Sequence, residues 1–528
     1  MTAAVEPRPL GDLVRVLEGR GMLRTLLAPP GLSVGGAAAT GVAFDSRQVG
    51  QGDVFVAIPG AEYDGHDFAA AAVERGAVAV VAERAVARVG VPQLLVASSR
   101  AALATAAAWL NDFPSHRLGV VGVTGTDGKT TTTFLTQAML AECGLPAGLI
   151  STIEVIAGGE SRGYTGHTTP EAPVIQADLR AMADAGDRFA VVETTSHGLA
   201  LGRADEIAYD ICVLTNITHE HLDLHGTFEA YVAAKRSLFE RLALSESNPD
   251  KGWPKTAVVN LQDVLADQFI DAARDAGARV LTYAADPQVA ADIVATAVHD
   301  DGVGLTLQVR TSRWDDVVRL QLAGSFNAFN VLAAIGVGEA LGLDPDAMRR
   351  GLTGVEGVKG RMQPIDEGQP FGVFVDFAHT PGALAAALDS LAPIAAARRG
   401  GLISLFGSPG ARDVAKRPMM GRAAGERSRI VVLTDDDPRT EDRMGILEEI
   451  AVGAEEAGRR QDHDLFLIPD RRQAIRHALE LARPADIVLL AGKGHESTLA
   501  TADGPVPWDE AALARAALRD LGYSGSKR

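Results

Sequence analysis

The sequence predicts a three-domain α/β protein: a small N-terminal α/β domain, a central phosphate-loop domain built on a parallel sheet, and a C-terminal Rossmann-like domain. Three observations predict it. Apolar, β-branched runs alternate with helical patterns along most of the chain, which favours parallel sheets whose ligands lie at the carboxyl ends of the strands. A glycine turn ending in Gly128, Lys129 and Thr130 separates one such run from a helical pattern. The length, 528 residues, exceeds what a single hydrophobic core organises. Domain limits are expected at 1–114, 115–349 and 350–528.

Along the chain, the first hundred or so residues alternate short strands and turns, then give the helix–strand pair FAAAAVERGAVAVVAE and the strand PQLLVAS. Residues 101–112 read as an alanine-rich helix, and Asn111 to His116 as a hinge. The central domain opens on Leu118 to Val123, apolar as a buried strand should be. Further strands are expected at 189–194, 209–216, 256–260 and 279–283. Residues 291–323 alternate with period two, which suggests an antiparallel excursion, and a helix over 326–342 closes the region. In the third domain the strands are FGVFVDF, GLISLFG, RIVVLT, HDLFLIP and DIVLLAG, separated by helical patterns.

Composition narrows the function. Hydrophobic residues at 47% and charged residues at 22% are ordinary for a soluble globular chain. A net charge of −18 argues against a nucleic-acid surface, which needs a basic footprint. No apolar run is long enough to cross a bilayer, and the N-terminus lacks the basic start and apolar core of a secretion signal. Cys143 and Cys212, both expected to be buried thiols, suit a reducing compartment. A cytoplasmic monomer is expected.

The chemistry begins at Gly122 to Thr133, GVTGTDGKTTTT. In the loop Gly125, Thr126, Asp127, Gly128, glycines let backbone N–H groups face an anion, and the helix N-terminus adds partial positive charge. Lys129 supplies a full charge, and a hydroxyl from Thr130 or Thr131 can ligate Mg²⁺. The spacing is GxxGK[ST] from Gly125; the longer GxxxxGK[ST] form would need glycine at Val123. Glu193 ends the next strand pattern, where a carboxylate beside a phosphate loop holds Mg²⁺; taken alone, it reads equally as a helix N-cap acid.

His219, His221 and His225 fall within seven residues, a spacing that suggests zinc. The hard-ligand neighbours and the lack of a cysteine cluster argue against it. His221 is the preferred magnesium ligand or phosphate contact; His219 and His225 read as polar loop residues. Lys235 sits on a helix whose pattern turns it inward with Tyr231 and Phe239. A desolvated lysine loses its charge readily and becomes nucleophilic.

Together, GVTGTDGKTTT, HTTPE, ETTSHGLALGR, TNITHEHLDLHGTFEAYVAAK, GSFNAFNVLAA, GRM, VDFAHTPGAL and RDVAKRP resemble the Mur ligase family, in family order. DSRQVGQGDVFVAIPG, DDDPR and AGKGHE are similar to its MurE branch, the UDP-MurNAc-tripeptide synthetases. The match runs from about Phe44 to Glu496.

The resemblance implies ATP and Mg²⁺ as cofactors, with UDP-N-acetylmuramoyl-L-alanyl-D-glutamate and a diamino acid as substrates. It implies that Lys235 is carbamylated, turning a cation into an anion that holds Mg²⁺ with Thr130, Glu193 and His221. Asn327 and Asn330 match adenine-side contacts. Arg361, Asp376 and His379 match contacts to the ATP ribose and phosphates. Ser46 matches a uridine-diphosphate contact, and Thr168, Thr169, Thr195 and Arg203 match muramyl-dipeptide contacts. Arg412, Asp436, Asp437, Pro438, Arg439, Gly492 and Glu496 correspond to the pocket for the incoming amino acid.

Three departures stand out. Asp127 replaces a usual Asn beside the triphosphate, Thr195 replaces Ser, and Asp437 replaces the Asn of DNPR. Arg439 points to meso-diaminopimelate as the added residue, through a bidentate carboxylate clamp. The extra charge of Asp437 points to lysine or ornithine. A folylpolyglutamate synthase would share the loop and lysine but not need the N-terminal DSR unit. A non-catalytic Mur-like partner would have lost Glu193, His221 or Lys235. A switch GTPase would carry an NKxD-type guanine motif.

Overall fold

The computed structural model describes residues 6–29, 34–60, 63–163, 166–218, 225–243 and 251–525. At its centre the strand Gly119–Thr124 is buried at every position. A strand of that composition has apolar side chains on both faces and needs cover on both, which a parallel sheet between helix layers provides. It lies between Phe189–Glu193 and Ile211–Leu214, parallel to both. The parallel set continues through Ala147–Ile150 on one side, and through Thr256–Asn260 and Arg279–Ala284 on the other. Because these strands run the same way, their carboxyl ends share one edge. That edge receives the glycine loop, Glu193 and the segment Thr215–Thr218.

The period-two stretch is an antiparallel excursion as expected. Ile293–Asp300, Leu305–Arg310 and Asp315–Leu320 at one edge, with Val155–Ala157 and Glu160–Ser161 at the other, extend the sheet to eleven strands, and Leu305–Arg310 alternates buried with half-buried or exposed residues. The helix Asn327–Ala340 is buried from Val331 to Ala340, so it cannot be a surface helix. It packs on the sheet beside the loop's own helix, Lys129–Glu142, in a core that includes Leu135, Met139, Val331 and Ile335.

The N-terminal sheet has the order Leu23–Leu27, Gln93–Val96, Ala79–Ala82, Asp53–Val56, Gly41–Ala43; only the first strand is antiparallel to its neighbour. The expectation of strands and turns at the start omits the helix Leu10–Gly19. Its buried Leu10, Leu13, Val14 and Leu17 have the spacing of one helix face, so the signal was present in the sequence. The alanine-rich helix runs Ser99–Leu110, capped by Ser98, whose hydroxyl accepts from the Ala101 N–H. In the segment expected to hinge, Asp112 and Phe113 take positive φ before one short turn, Pro114–His116. Cys212 is buried, but Cys143, at the end of its helix, is only half-buried.

The C-terminal sheet runs Gln363–Pro364, Gly372–Val375, Ile487–Leu490, Leu402–Phe406, Ile430–Leu433, Leu465–Leu467, parallel except at the first edge. Behind its carboxyl edge lies a buried ion pair. Arg471 donates from Nη2 to Glu510 Oε1 at 2.6 Å, and from Nε to both Glu510 oxygens at 3.1 Å. It also donates to the Asp435 carbonyl at 2.9 Å and the Ala491 carbonyl at 2.7 Å. One guanidinium thus ties the loops after two strands together. Removing one member of such a pair strands a charge and costs about 3–5 kcal/mol. Arg471→Met should therefore lower the unfolding free energy by about that much in urea titration, and adding Glu510→Leu should recover over half of it. A double variant no better than the single would refute this account.

Candidate active site

Gly128 closes the phosphate loop at φ +82°, a left-handed conformation that glycine adopts at no steric cost. A Cβ there would stand 2.3 Å from Asn330 Oδ1, so the side chain of the long buried helix rests directly on the loop. Asn330 Oδ1 also accepts from Thr132 Oγ1 at 3.2 Å, and Asn330 Nδ2 donates to Asn327 Oδ1 at 2.8 Å. Asn327 in turn donates to the Ala323 carbonyl at 2.7 Å. The two asparagines therefore form one network against the loop.

On the other flank, Asn216 Oδ1 accepts from the Asp127 N–H at 2.9 Å, and Thr215 Oγ1 donates to the Asp127 carbonyl at 2.6 Å. Thr126 Oγ1 bonds the Tyr231 hydroxyl at 2.8 Å and accepts from the Thr218 N–H at 2.8 Å. Lys129 Nζ donates to the carbonyls of Gly125 at 3.1 Å and Thr126 at 2.7 Å, which keeps its charge at the loop. Thr131, half a turn further on, is buried.

Glu193 accepts from Thr130 Oγ1 at 3.0 Å through one oxygen, and from the N–H and hydroxyl of Thr152 at 2.9 and 3.0 Å through the other. It is 2% exposed and oriented from both sides. A carboxylate and a hydroxyl in contact at the loop's helix start are oxygen donors of the type Mg²⁺ prefers. Lys235, also 2% exposed, lies inward as its helix spacing predicts. Its Nζ donates to the Gly125 carbonyl at 2.6 Å and lies 4.7 Å from the Tyr231 ring centroid. His221 and His219 lie outside the described residues. His225 is described; its ring meets those of His197 and Tyr231 edge-on.

The C-terminal domain reaches this edge through Arg361, whose Nη2 donates to Thr130 Oγ1 at 3.1 Å while its guanidinium lies 4.5 Å from the Phe377 ring centroid. Burial lowers its pKa, opposed by Asp376, Glu193, Asp127 and Glu496. Asp376 is pushed up by burial; its oxygens accept from the N–H groups of Met362 at 2.6 Å and Ala378 at 2.8 Å. His379 Nδ1 is 2.8 Å from the Phe377 carbonyl. Thr130, Glu193, Arg361 and Asp376 thus come together from two domains.

Next to Glu193, Thr169 Oγ1 donates to the Glu193 carbonyl, bonds Thr195 Oγ1 at 3.0 Å and accepts from the Thr195 N–H. Thr168 Oγ1 accepts from Thr152 at 3.0 Å. Arg203 donates to the Thr169 carbonyl at 3.2 Å and pairs with Glu171 at 2.8 Å. Ser46 lies in the turn after Gly41–Ala43, in the N-terminal domain.

Of the residues assigned to the amino-acid pocket, Asp436, Asp437 and Glu496 meet around one further side chain, and Gly492 adjoins Asp436. Lys493, fully buried, extends Nζ to Asp437 Oδ1 at 2.8 Å, Glu496 Oε2 at 2.5 Å and Asp436 Oδ1 at 3.9 Å. Burial lowers its pKa, but the three carboxylates outweigh that and hold it above its ordinary value. Burial raises that of Glu496. Sequence reasoning missed Lys493, because a lysine between glycines reads as solvated. Asp437 and Arg439 flank Pro438 at φ 52° and 55°, both left-handed, a conformation Asp and Asn tolerate best. Arg439 Nη1 donates to the Gly410 carbonyl at 3.1 Å. Gly492, at φ +101°, leaves room for Asp436, whose Oδ2 would be 3.1 Å from a Cβ. Arg412 is exposed.

Three family models cover most of the chain: a Mur ligase family catalytic domain over 38–109, the Mur ligase middle domain over 123–338, and the Mur ligase glutamate ligase domain over 360–494. The chain belongs to the Mur ligase family. It is 47% identical over 493 residues to a UDP-N-acetylmuramyl-tripeptide synthetase of Roseiflexus sp., covering 92% of this chain and 95% of that one. It is 38% identical over 480 residues to a UDP-N-acetylmuramoyl-L-alanyl-D-glutamate–2,6-diaminopimelate ligase of Geobacillus kaustophilus, covering 90% and 94%. A solved diaminopimelate ligase superposes with a TM-score of 0.65 at 29% identity, covering 99% of this chain and all of the other. A folylpolyglutamate synthase of Mycobacterium tuberculosis shares the fold at a TM-score of 0.59 and 18% identity, over 79% of this chain.

In the C-terminal domain, burial, helped by Arg361, Lys359, His379 and Lys493, holds His495 down to about 3. Unfolded, it titrates near its ordinary 6.5, so only the unfolded state takes up the proton as pH falls below that value. The stability present above pH 6.5 is therefore lost progressively as pH drops toward 3. His495→Asn should flatten the decline of the thermal midpoint between pH 7 and pH 5; parallel curves for variant and wild type would contradict the assignment.

Proposed function

We propose that this chain is an ATP-dependent ligase that joins a diamino acid to UDP-N-acetylmuramoyl-L-alanyl-D-glutamate in peptidoglycan precursor synthesis. The observation that carries the reading is the junction of Thr130, Glu193 and Arg361, in a chain nearly half identical to a tripeptide synthetase along almost its full length. Residues 1–114 are read as the UDP-binding domain, 115–349 as the ATP domain and 350–528 as the amino-acid domain. The reaction belongs in the cytoplasm, where ATP is supplied.

The side-chain carboxylate of the glutamyl residue attacks the γ-phosphorus of ATP in line, forming an acyl phosphate and releasing ADP. The free amine of the diamino acid then attacks the acyl carbon, loses a proton, and inorganic phosphate leaves. Lys129 and the loop N–H groups stabilise charge on the equatorial phosphoryl oxygens, where a fixed cation lowers the barrier most. Thr130, Glu193, His221 and a carbamylated Lys235 would hold Mg²⁺, which neutralises phosphate charge when bound. Thr169, Thr195 and Arg203 hold the dipeptide end of the acceptor. Arg361 and Asp376 bring the C-terminal domain over the phosphates, and closure there keeps water from the acyl phosphate.

Diaminopimelate is the favoured third residue: Arg439 offers a carboxylate clamp, and Lys493 at 2.8 Å offsets the extra charge of Asp437. Lysine or ornithine is the second reading, carried by Asp437 itself. Phosphate release from ATP should require both the UDP-dipeptide and an amino acid, and be fastest with diaminopimelate. Faster release with lysine or ornithine would transfer the assignment to them; none with any of the three would overturn the proposed reaction. Lys235→Ala should lower turnover on the order of 10²-fold or more, with partial recovery in short carboxylic acids. Undiminished activity in that variant would remove the carbamate from the mechanism.

A further inference from the structure

The turn Ala323–Phe326, just before the asparagine-bearing helix, belongs to the central chain segment but packs against the C-terminal domain through Ala323 and Phe326. Ala323 is 3% exposed within the core that contains Leu384, Leu391 and Ile394, and Phe326 packs on the same core. Polar groups fix the turn from two sides. Asp300, at the end of the strand Ile293–Asp300, accepts through Oδ2 from the Gly324 N–H at 2.9 Å and from Ser390 Oγ at 3.3 Å. Its Oδ1 accepts from the Gly302 N–H at 2.9 Å. Ser390, on the C-terminal helix Pro381–Ala397, accepts from the Ser325 N–H at 2.8 Å. At the hairpin tip a Cβ on Gly302 would stand 2.7 Å from Ile394 Cγ2, so the hairpin lies directly on that helix.

From this turn the network of hydrogen bonds continues to the phosphate loop. The Gly324 carbonyl accepts from the Asn327 N–H at 2.8 Å, Asn327 Oδ1 accepts from Asn330, and Asn330 rests on Gly128.

We propose that Asp300 and Ser390 are positioning residues that couple the seating of the C-terminal domain to nucleotide affinity, by fixing the turn that sets Asn327 and Asn330 against the phosphate loop. This rests on the functional reading above only in taking that loop as the nucleotide site. Physical continuity alone does not establish coupling, so the test measures it directly.

ADP affinity of the full-length protein is measured by calorimetry for wild type, Ser390→Ala, Asp300→Asn and the double variant, with UDP-MurNAc-dipeptide affinity and the thermal midpoint alongside. Loss of the bonds at one position should weaken ADP binding about tenfold. The double variant should be no worse than the weaker single, as members of one network behave. UDP-precursor affinity should be unchanged. ADP affinity unaltered in both singles would overturn the inference. So would ADP and UDP-precursor affinity falling together with the thermal midpoint, which would mark a purely structural role. A wild type that binds the UDP precursor but no ADP would overturn the nucleotide reading as well.

Discussion

At Gly125 and Gly128 the phosphate loop has a backbone conformation and surroundings that leave no room for a side chain, and the neighbouring structure is built to fit against it. Gly128 sits in the left-handed region with Asn330 at a distance no Cβ could tolerate. Gly125, at φ +147°, is as tightly enclosed: a Cβ there would lie 1.8 Å from Thr215 Oγ1 and 3.0 Å from the Asn216 N. These approaches are possible because parallel strands deliver Thr124, Glu193 and Thr215 to one sheet edge, while a fully buried helix closes the opposite side. In the proposed function this rigidity serves catalysis: donors held in place before a phosphate arrives need no reorganisation when charge develops.

A second regularity is electrostatic. The chain carries 68 acidic and 50 basic residues, and three of its wholly or partly buried cations lie among carboxylates. Arg361 lies among Asp376, Glu193, Asp127 and Glu496; Lys493 lies among Asp436, Asp437 and Glu496; Arg471 is paired with Glu510. An isolated buried charge is too costly to keep, so each is compensated by partners drawn from different loops. That requirement is what holds the 435–439 and 491–496 segments in register, independently of any substrate.

Much of the scaffold was legible in the sequence because its signals are local. Apolar β-branched runs gave the parallel strands, period two gave the excursion after Ala284, and i±4 spacing turned Lys235 inward. The helix Leu10–Gly19 was equally legible but passed over. The residues that escaped notice are of another kind. Lys493 sits between two glycines, where sequence suggests a solvated lysine, and Arg471 has the pattern of a surface helix start. Both are buried only because strands distant in sequence converge on them. Cys143 is only half-buried, since it falls just past the last helical turn.

The contacts between domains mark the limit of sequence reading most clearly. Asp300 and Ser390 are ninety residues apart, and neither belongs to a motif. Nothing in a strand ending HD or a helix containing LDSL announces that the two side chains share a proton donor and acceptor. Yet the core itself crosses the boundary: Ala323 is buried with the C-terminal helices and Phe326 packs on them, although both precede a helix of the central domain. A joint built this way cannot slide freely, because moving the C-terminal domain relative to the hairpin would expose apolar surface and break bonds to Gly324 and Ser325 together. The turn that leads to Asn327 is thus one of the points, with the Arg361–Thr130 bond, at which the two domains are tied together. If the proposed function holds, a ligase whose intermediate must be shielded from water would set domain closure and the nucleotide site on the same few atoms.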